Sequence, residues 1–227
     1  MSENSEKGIE GLVGTRVLRI PNVVRPILIW IVAAAVAAGF VSFAGRIVGG
    51  STLAELASGD TLFLLLRLIA SCAVTAAFEE MVFRGALLGV LLYRLRGLSS
   101  AVPTANIVAA LVFAAFHVFP EMSMVFDDPV LVLPAVLKFI QAALFGFCAG
   151  AVVIETKALL AMVGAHWLFD IFYFWPTYLY EGYFPMGYVV GDWVNLLVLG
   201  VSVLLFLPAA ITAWRLSSQG VVGFSSR

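Results

Sequence analysis

Twenty consecutive residues, Pro26–Gly45, carry no charge. A helix needs roughly 20 apolar residues to cross the hydrocarbon core of a bilayer, and stretches of this kind recur along the chain. Composition agrees, since 62% of the 227 residues are hydrophobic and 12% are charged, where soluble domains carry about 25% charged residues. The chain is therefore expected to be an integral membrane protein. Its 13 basic and 14 acidic residues nearly cancel, so there is no footprint for a nucleic-acid partner. Cys72 and Cys148 both lie in apolar runs and read as small buried hydrophobes rather than as a disulfide.

Six spans are expected: Pro26–Gly45, Arg67–Tyr93, Pro103–Phe119, Pro134–Ile154, Ala158–Trp175 and Trp193–Trp214. The loops between them are short, so the fold class is an all-α, polytopic transmembrane helical bundle. The bundle is expected over 26–215, with a lead-in at 1–25 and a tail at 216–227. The lead-in carries both signs of charge and lacks a small-residue cleavage site, so it reads as cytosolic chain and not as a signal peptide. With the N-terminus inside, nine basic residues fall at inner positions and only Arg46 and Lys138 at outer ones. That bias puts both termini in the cytosol, and the plasma membrane is the expected location. The second span is the irregular one, because the apolar run Thr61–Leu95 exceeds what one crossing needs. The aromatic stretch Phe172–Trp193 reads as a belt at the outer interface, with a lid over a substrate as the alternative.

Inside these apolar helices stand Glu79, Glu80, Arg84, His117, His166 and Asp170. Ionisable groups in a bilayer are costly and mark a partner, a cavity or a task. A depth count at ~1.5 Å per residue brings them to one level. Glu80 lies roughly 21 Å above Arg94, His117 roughly 18 Å above Ala105, and His166 and Asp170 roughly 14 and 20 Å above Lys157. All are middle depths of a ~30 Å core. Glu80 and Arg84, four apart, share a helix face and can pair. Glu79 is turned about 100° away and lacks that partner, which leaves it as the carboxylate facing a cavity. His166 and Asp170 also share a face, so the aspartate can hold the imidazole in one tautomer. Taken singly, each feature could be structural. Asn106, Gln141 and Asn195 are read as packing glue.

Three motifs follow one another: E-E-x-x-x-R at Glu79–Arg84, F-x-x-x-H at Phe113–His117, and H-x-x-x-(N/D) at His166–Asp170. In this order, on successive apolar helices, they resemble the CPBP (ABI) family of intramembrane endopeptidases. That family includes the type II CAAX prenyl proteases and bacterial proteins linked to bacteriocin processing and self-immunity. The resemblance covers about residues 60–175. Asp170 departs from the asparagine usual in the prenyl-protease branch. The resemblance implies a hydrolase acting on a membrane-associated, lipidated peptide or protein. It implies Glu79 as the base that activates water, with His117 and His166 holding that water, polarising the scissile carbonyl or binding a divalent metal. Glu80, Arg84 and Phe113 would support the site, and Asp170 would orient His166.

No serine or cysteine elbow stands near a histidine to favour a covalent route. The soluble zinc-protease pattern H-E-x-x-H is also absent. Glu79, His117 and His166 nevertheless match the donor types of an open zinc site, so metalloprotease and metal-free chemistry both stand open here. Two other functions compete with the endopeptidase. Intramembrane carboxylates and histidines also serve proton- or ion-coupled transporters, although such proteins commonly show repeat halves and broken helices. A catalytically silent, partner-binding immunity protein is the third.

Overall fold

The computed structural model describes residues 21–52, 60–182 and 189–224, with side chains to residue 218. Most of the lead-in, the last three residues of the tail, and the aromatic residues Tyr183, Phe184 and Tyr188 lie outside the described residues.

Among the described residues six helices are long and apolar enough to cross a membrane, so this is a multi-pass helical bundle, as the apolar runs imply. Helix α1 is Arg25–Val48, with proline in its first turn, where a missing N–H costs nothing. Helix α2 is Thr61–Glu80. It runs on without a break into a π-helical stretch, Met81–Leu87, and then into α3, Leu88–Leu95. Helix α4 is Ala101–Val118, ended by a 3-10 turn containing Pro120 and followed by the short α5, Met122–Asp127. Helix α6 is Val132–Thr156, α7 is Leu159–Glu181 and α8 is Trp193–Phe224.

Three expectations change. The second span is one continuous element of 35 residues, Thr61–Leu95, about 50 Å long at ~1.5 Å per residue. Its excess length is taken up by the wide π-helical stretch and α3. The fifth span continues past the expected end at Trp175, through Pro176 to Glu181, so Phe172–Tyr180 are helical. Of these, Tyr178 is buried against Leu68 and Cys72. Lys138, counted with the outer charges, sits inside α6 and is 6% exposed.

The spans form a ring. Helix α7 packs between α2 and α1, α1 against α8, α8 against α6, and α6 against α4. Helix α4 meets α3 and the π-helical stretch and so returns to the second span. Close approach needs small residues in places. A side chain on Gly39 would strike the backbone oxygen of Phe172, and one on Gly150 would strike the Asn106 amide. That amide donates to the Phe147 carbonyl at 3.0 Å and ties α4 to α6, as expected of packing glue. Arg46 at the end of α1 pairs with Glu181 at the end of α7, which puts those two ends on one side.

Candidate active site

The motif residues come together inside this ring. Glu79 and Glu80 close α2 just before the π-helical stretch. Single-turn π insertions often sit at functional sites, and here the stretch carries Arg84. Helix α7 is held beside α2 by Trp167, whose indole N–H donates to the Ile69 carbonyl at 2.8 Å. That bond fixes the level of the neighbouring His166.

The two glutamates divide as the helix wheel requires. Glu80 is fully buried, and its Oε1 lies 3.0 Å from Arg84 Nη1. This is a charge contact and not an aligned hydrogen bond, since both guanidinium nitrogens of that end lack a hydrogen-bond partner. The guanidinium instead lies 4.3 Å over the Phe113 ring, a favourable place for a desolvated cation. Glu79 Oε2 is buried with no hydrogen-bond partner and faces both histidines. It is 3.9 Å from His117 Nε2 and 3.8 Å from His166 Nε2.

The hydrogen bonds fix what those nitrogens offer. His117 Nδ1 is 2.9 Å from the Phe113 carbonyl oxygen. A carbonyl can only accept, so Nδ1 carries the proton and Nε2 of the neutral ring presents a lone pair to Glu79. His166 Nδ1 donates to Glu80 Oε1 at 2.8 Å. Asp170, expected to set this tautomer, is 3.6 Å from Nε2 instead, beyond hydrogen-bond range. The residue that orients His166 is thus on another helix. A cross-helix contact of this kind leaves no spacing signal in the sequence. Phe113 supports three groups at once: Arg84, the His117 ring at 4.3 Å and Phe145. Phe145 in turn packs on the His166 ring at 4.6 Å.

Two cavities meet at Glu79 and His117. One, of about 230 Å³, is lined by both of these and by His166, Asp170, Lys138 and Gln141. The other, of about 450 Å³, is lined by apolar side chains between the second and third spans, Phe78, Val82 and Phe116 among them. Lys138 and Gln141, which sequence reasoning gave to the outer charges and to packing, line the smaller cavity instead. A signal was present: Lys138, Gln141 and Phe145 recur at helical spacing on one face of α6.

Glu79, His117 and His166 have the donor types of a zinc site, but their spacing differs. Tetrahedral ligands at ~2.1 Å stand about 3.4 Å apart, whereas Glu79 lies 3.8 and 3.9 Å from its neighbours. Among the described residues no three His, Cys, Asp or Glu side chains are placed to hold an ion. Two acceptors of one water at ~2.8 Å each stand about 4–4.5 Å apart, so the observed 3.8 and 3.9 Å fall between the two geometries.

Residues 61–172 match the family model described as type II CAAX prenyl endopeptidase Rce1-like. The chain belongs to this CAAX-protease-like family. No curated protein and no solved structure matches it. The matched segment contains every motif residue from Glu79 to Asp170. The chain is accordingly a multi-pass membrane protein of an intramembrane endopeptidase family, with hydrolase chemistry.

Proposed function

We propose that the chain hydrolyses a peptide bond of a lipidated, membrane-associated protein, using a water activated by Glu79, in the plasma membrane. Residues 26–215 act as the membrane domain that carries this site. The observation that carries the reading is the convergence of one unpartnered carboxylate oxygen, Glu79 Oε2, with the Nε2 atoms of two histidines.

Each role follows from the bonds at the far side of each ring. A water between Glu79 Oε2 and His117 Nε2 donates one proton to each and turns its lone pair toward the substrate. Glu79 takes the first proton as the oxygen attacks the carbonyl carbon, which is general-base catalysis. His166 presents Nε2 toward the carbonyl oxygen, with Nδ1 pinned by Glu80. When that nitrogen is protonated it donates to the developing oxyanion, and Glu80 and Asp170 supply the counter-charge. The C–N bond then breaks, and the proton held by Glu79 passes to the leaving nitrogen. Arg84 acts through Glu80 and is a positioning residue.

The apolar cavity supports a lipidated substrate. Phe78 and Phe116 on its wall are exposed, which in a bilayer means open to lipid. A hydrocarbon chain entering there reaches Glu79 and His117 without crossing a polar surface.

The test is cleavage of a prenylated CAAX peptide by the purified full chain in detergent, with products read by mass spectrometry. Wild type cuts the peptide; Glu79→Ala and His117→Ala do not, while their melting profiles match wild type. Retained turnover in both variants overturns the reading.

A further inference from the structure

Lys138 takes no part in the chemistry above, yet its placement is unusual. It stands in the second turn of a membrane-spanning helix, is 6% exposed, and lines the polar cavity. An ammonium so placed is costly unless it has a task. Its Nζ donates to Gln141 Oε1 at 3.0 Å. Because an ammonium can only donate, this bond fixes the amide's orientation. Gln141 Nε2 then donates to the Tyr173 hydroxyl at 3.3 Å. A hydroxyl that accepts still has its own proton to give, and Tyr173 lines the same cavity. The result is a braced array of two donors, the Lys138 ammonium and the Tyr173 O–H. Lys138 is the only lysine or arginine among the described residues on that wall, where Glu79 and Asp170 supply negative charge.

The distance from the reacting centre sets what this array could hold. Lys138 and Phe145 lie on one face of α6, seven residues apart, or about 10 Å along the axis. Phe145 packs directly on the His166 ring. The ammonium reaches forward to Gln141, four residues before Phe145, so the array stands roughly 6–10 Å along α6 from the level of the attacked carbonyl. A CAAX tail carries its lipidated cysteine four residues from the chain end. A cut on the C-terminal side of that cysteine lies at most three residues from the free carboxylate. Three extended residues span about 10 Å, which matches.

We propose that Lys138, braced by Gln141 and assisted by Tyr173, binds the free C-terminal carboxylate of the substrate. Lys138 is thus a specificity-determining residue that restricts cleavage to sites near a chain end. The proposal rests on the endopeptidase reading and adds the group by which the substrate's end is recognised.

The experiment compares one prenylated CAAX peptide as the free acid and as the C-terminal amide, using the full chain in detergent micelles. The wild type prefers the acid in kcat/KM by about tenfold to a hundredfold, the range of a charge-assisted hydrogen bond, with the difference in KM. In Lys138→Met that preference disappears, and in Lys138→Arg most of it returns. A wild type that cuts acid and amide equally overturns the inference while leaving the endopeptidase reading in place. A preference that survives in Lys138→Met overturns it as well. Equal losses on both substrates in Lys138→Met, with the ratio kept, assign the lysine to folding or chemistry and also overturn it. Turnover of neither peptide by the wild type removes the endopeptidase reading and this inference together.

Discussion

Replacing Arg84 by methionine tests whether the site is held by a buried charge pair. The side chains of Arg84 and Glu80 are 3% and 0% exposed, so water cannot replace a lost partner. Removing one member of such a pair costs about 3–5 kcal/mol. The guanidinium also gives up its place over Phe113, although a methionine sulfur keeps part of that contact. Glu80 retains the His166 Nδ1–H donor, which offsets a fraction of the loss. A net cost of about 3 kcal/mol is expected, or roughly 6–12 °C in melting temperature for a chain of this size. The double variant Glu80→Gln/Arg84→Met removes both charges, and glutamine can still accept from His166. It should lie within about 2 kcal/mol of wild type, so the two substitutions are strongly non-additive. The assay is an unfolding titration in mixed micelles, supported by thermal melts in detergent. A single variant within about 1 kcal/mol of wild type, or a double variant as costly as the two singles combined, would refute the reasoning.

Other outcomes follow from the same geometry. Gly39→Ala puts a methyl group against the Phe172 backbone oxygen, which cannot swing aside. It should cost about 2–3 kcal/mol in the same titration by overpacking, and a neutral result would contradict the close approach of α1 and α7. Phe113→Ala removes the ring shared by Arg84, His117 and Phe145, and a cost of about 3–5 kcal/mol is expected in thermal melts. Because no three His, Cys, Asp or Glu side chains among the described residues are placed to hold an ion, prolonged chelation should leave turnover within about twofold of the untreated protein. A loss that added zinc restores would contradict that geometry.

Much of the bundle was legible because a bilayer admits few solutions. Six apolar runs became six spans, and the prolines at helix starts marked ends to within a few residues. The depth count brought Glu80, His117, His166 and Asp170 to one level, and the structure brings both histidines within 4 Å of one carboxylate oxygen of the adjacent Glu79. The wheel argument separated Glu80, paired with Arg84, from Glu79. Contacts between helices were not legible. Periodicity on α7 pointed to Asp170 as the partner of His166, but Glu80 reaches Nδ1 from α2. No single-sequence pattern encodes which face of α2 meets α7. The π-helical stretch was also hidden, though the surplus length of Thr61–Leu95 hinted at an irregular span. Lys138 fell within the expected fourth span but was counted only as an outer charge, and its place on the cavity wall was not read. The face it shares with Gln141 and Phe145 was the signal for that place.

The central claim is that Glu79 activates the attacking water. Its most direct test is the single-turnover rate constant for cleavage of a prenylated CAAX peptide by Glu79→Gln, set against wild type at equal saturation. Glutamine keeps the shape of the side chain and cannot take a proton. The rate should fall by about 10²–10⁴-fold, the contribution of a positioned general base, with an unchanged melting temperature. A Glu79→Gln protein that cuts at a rate close to wild type would contradict the account.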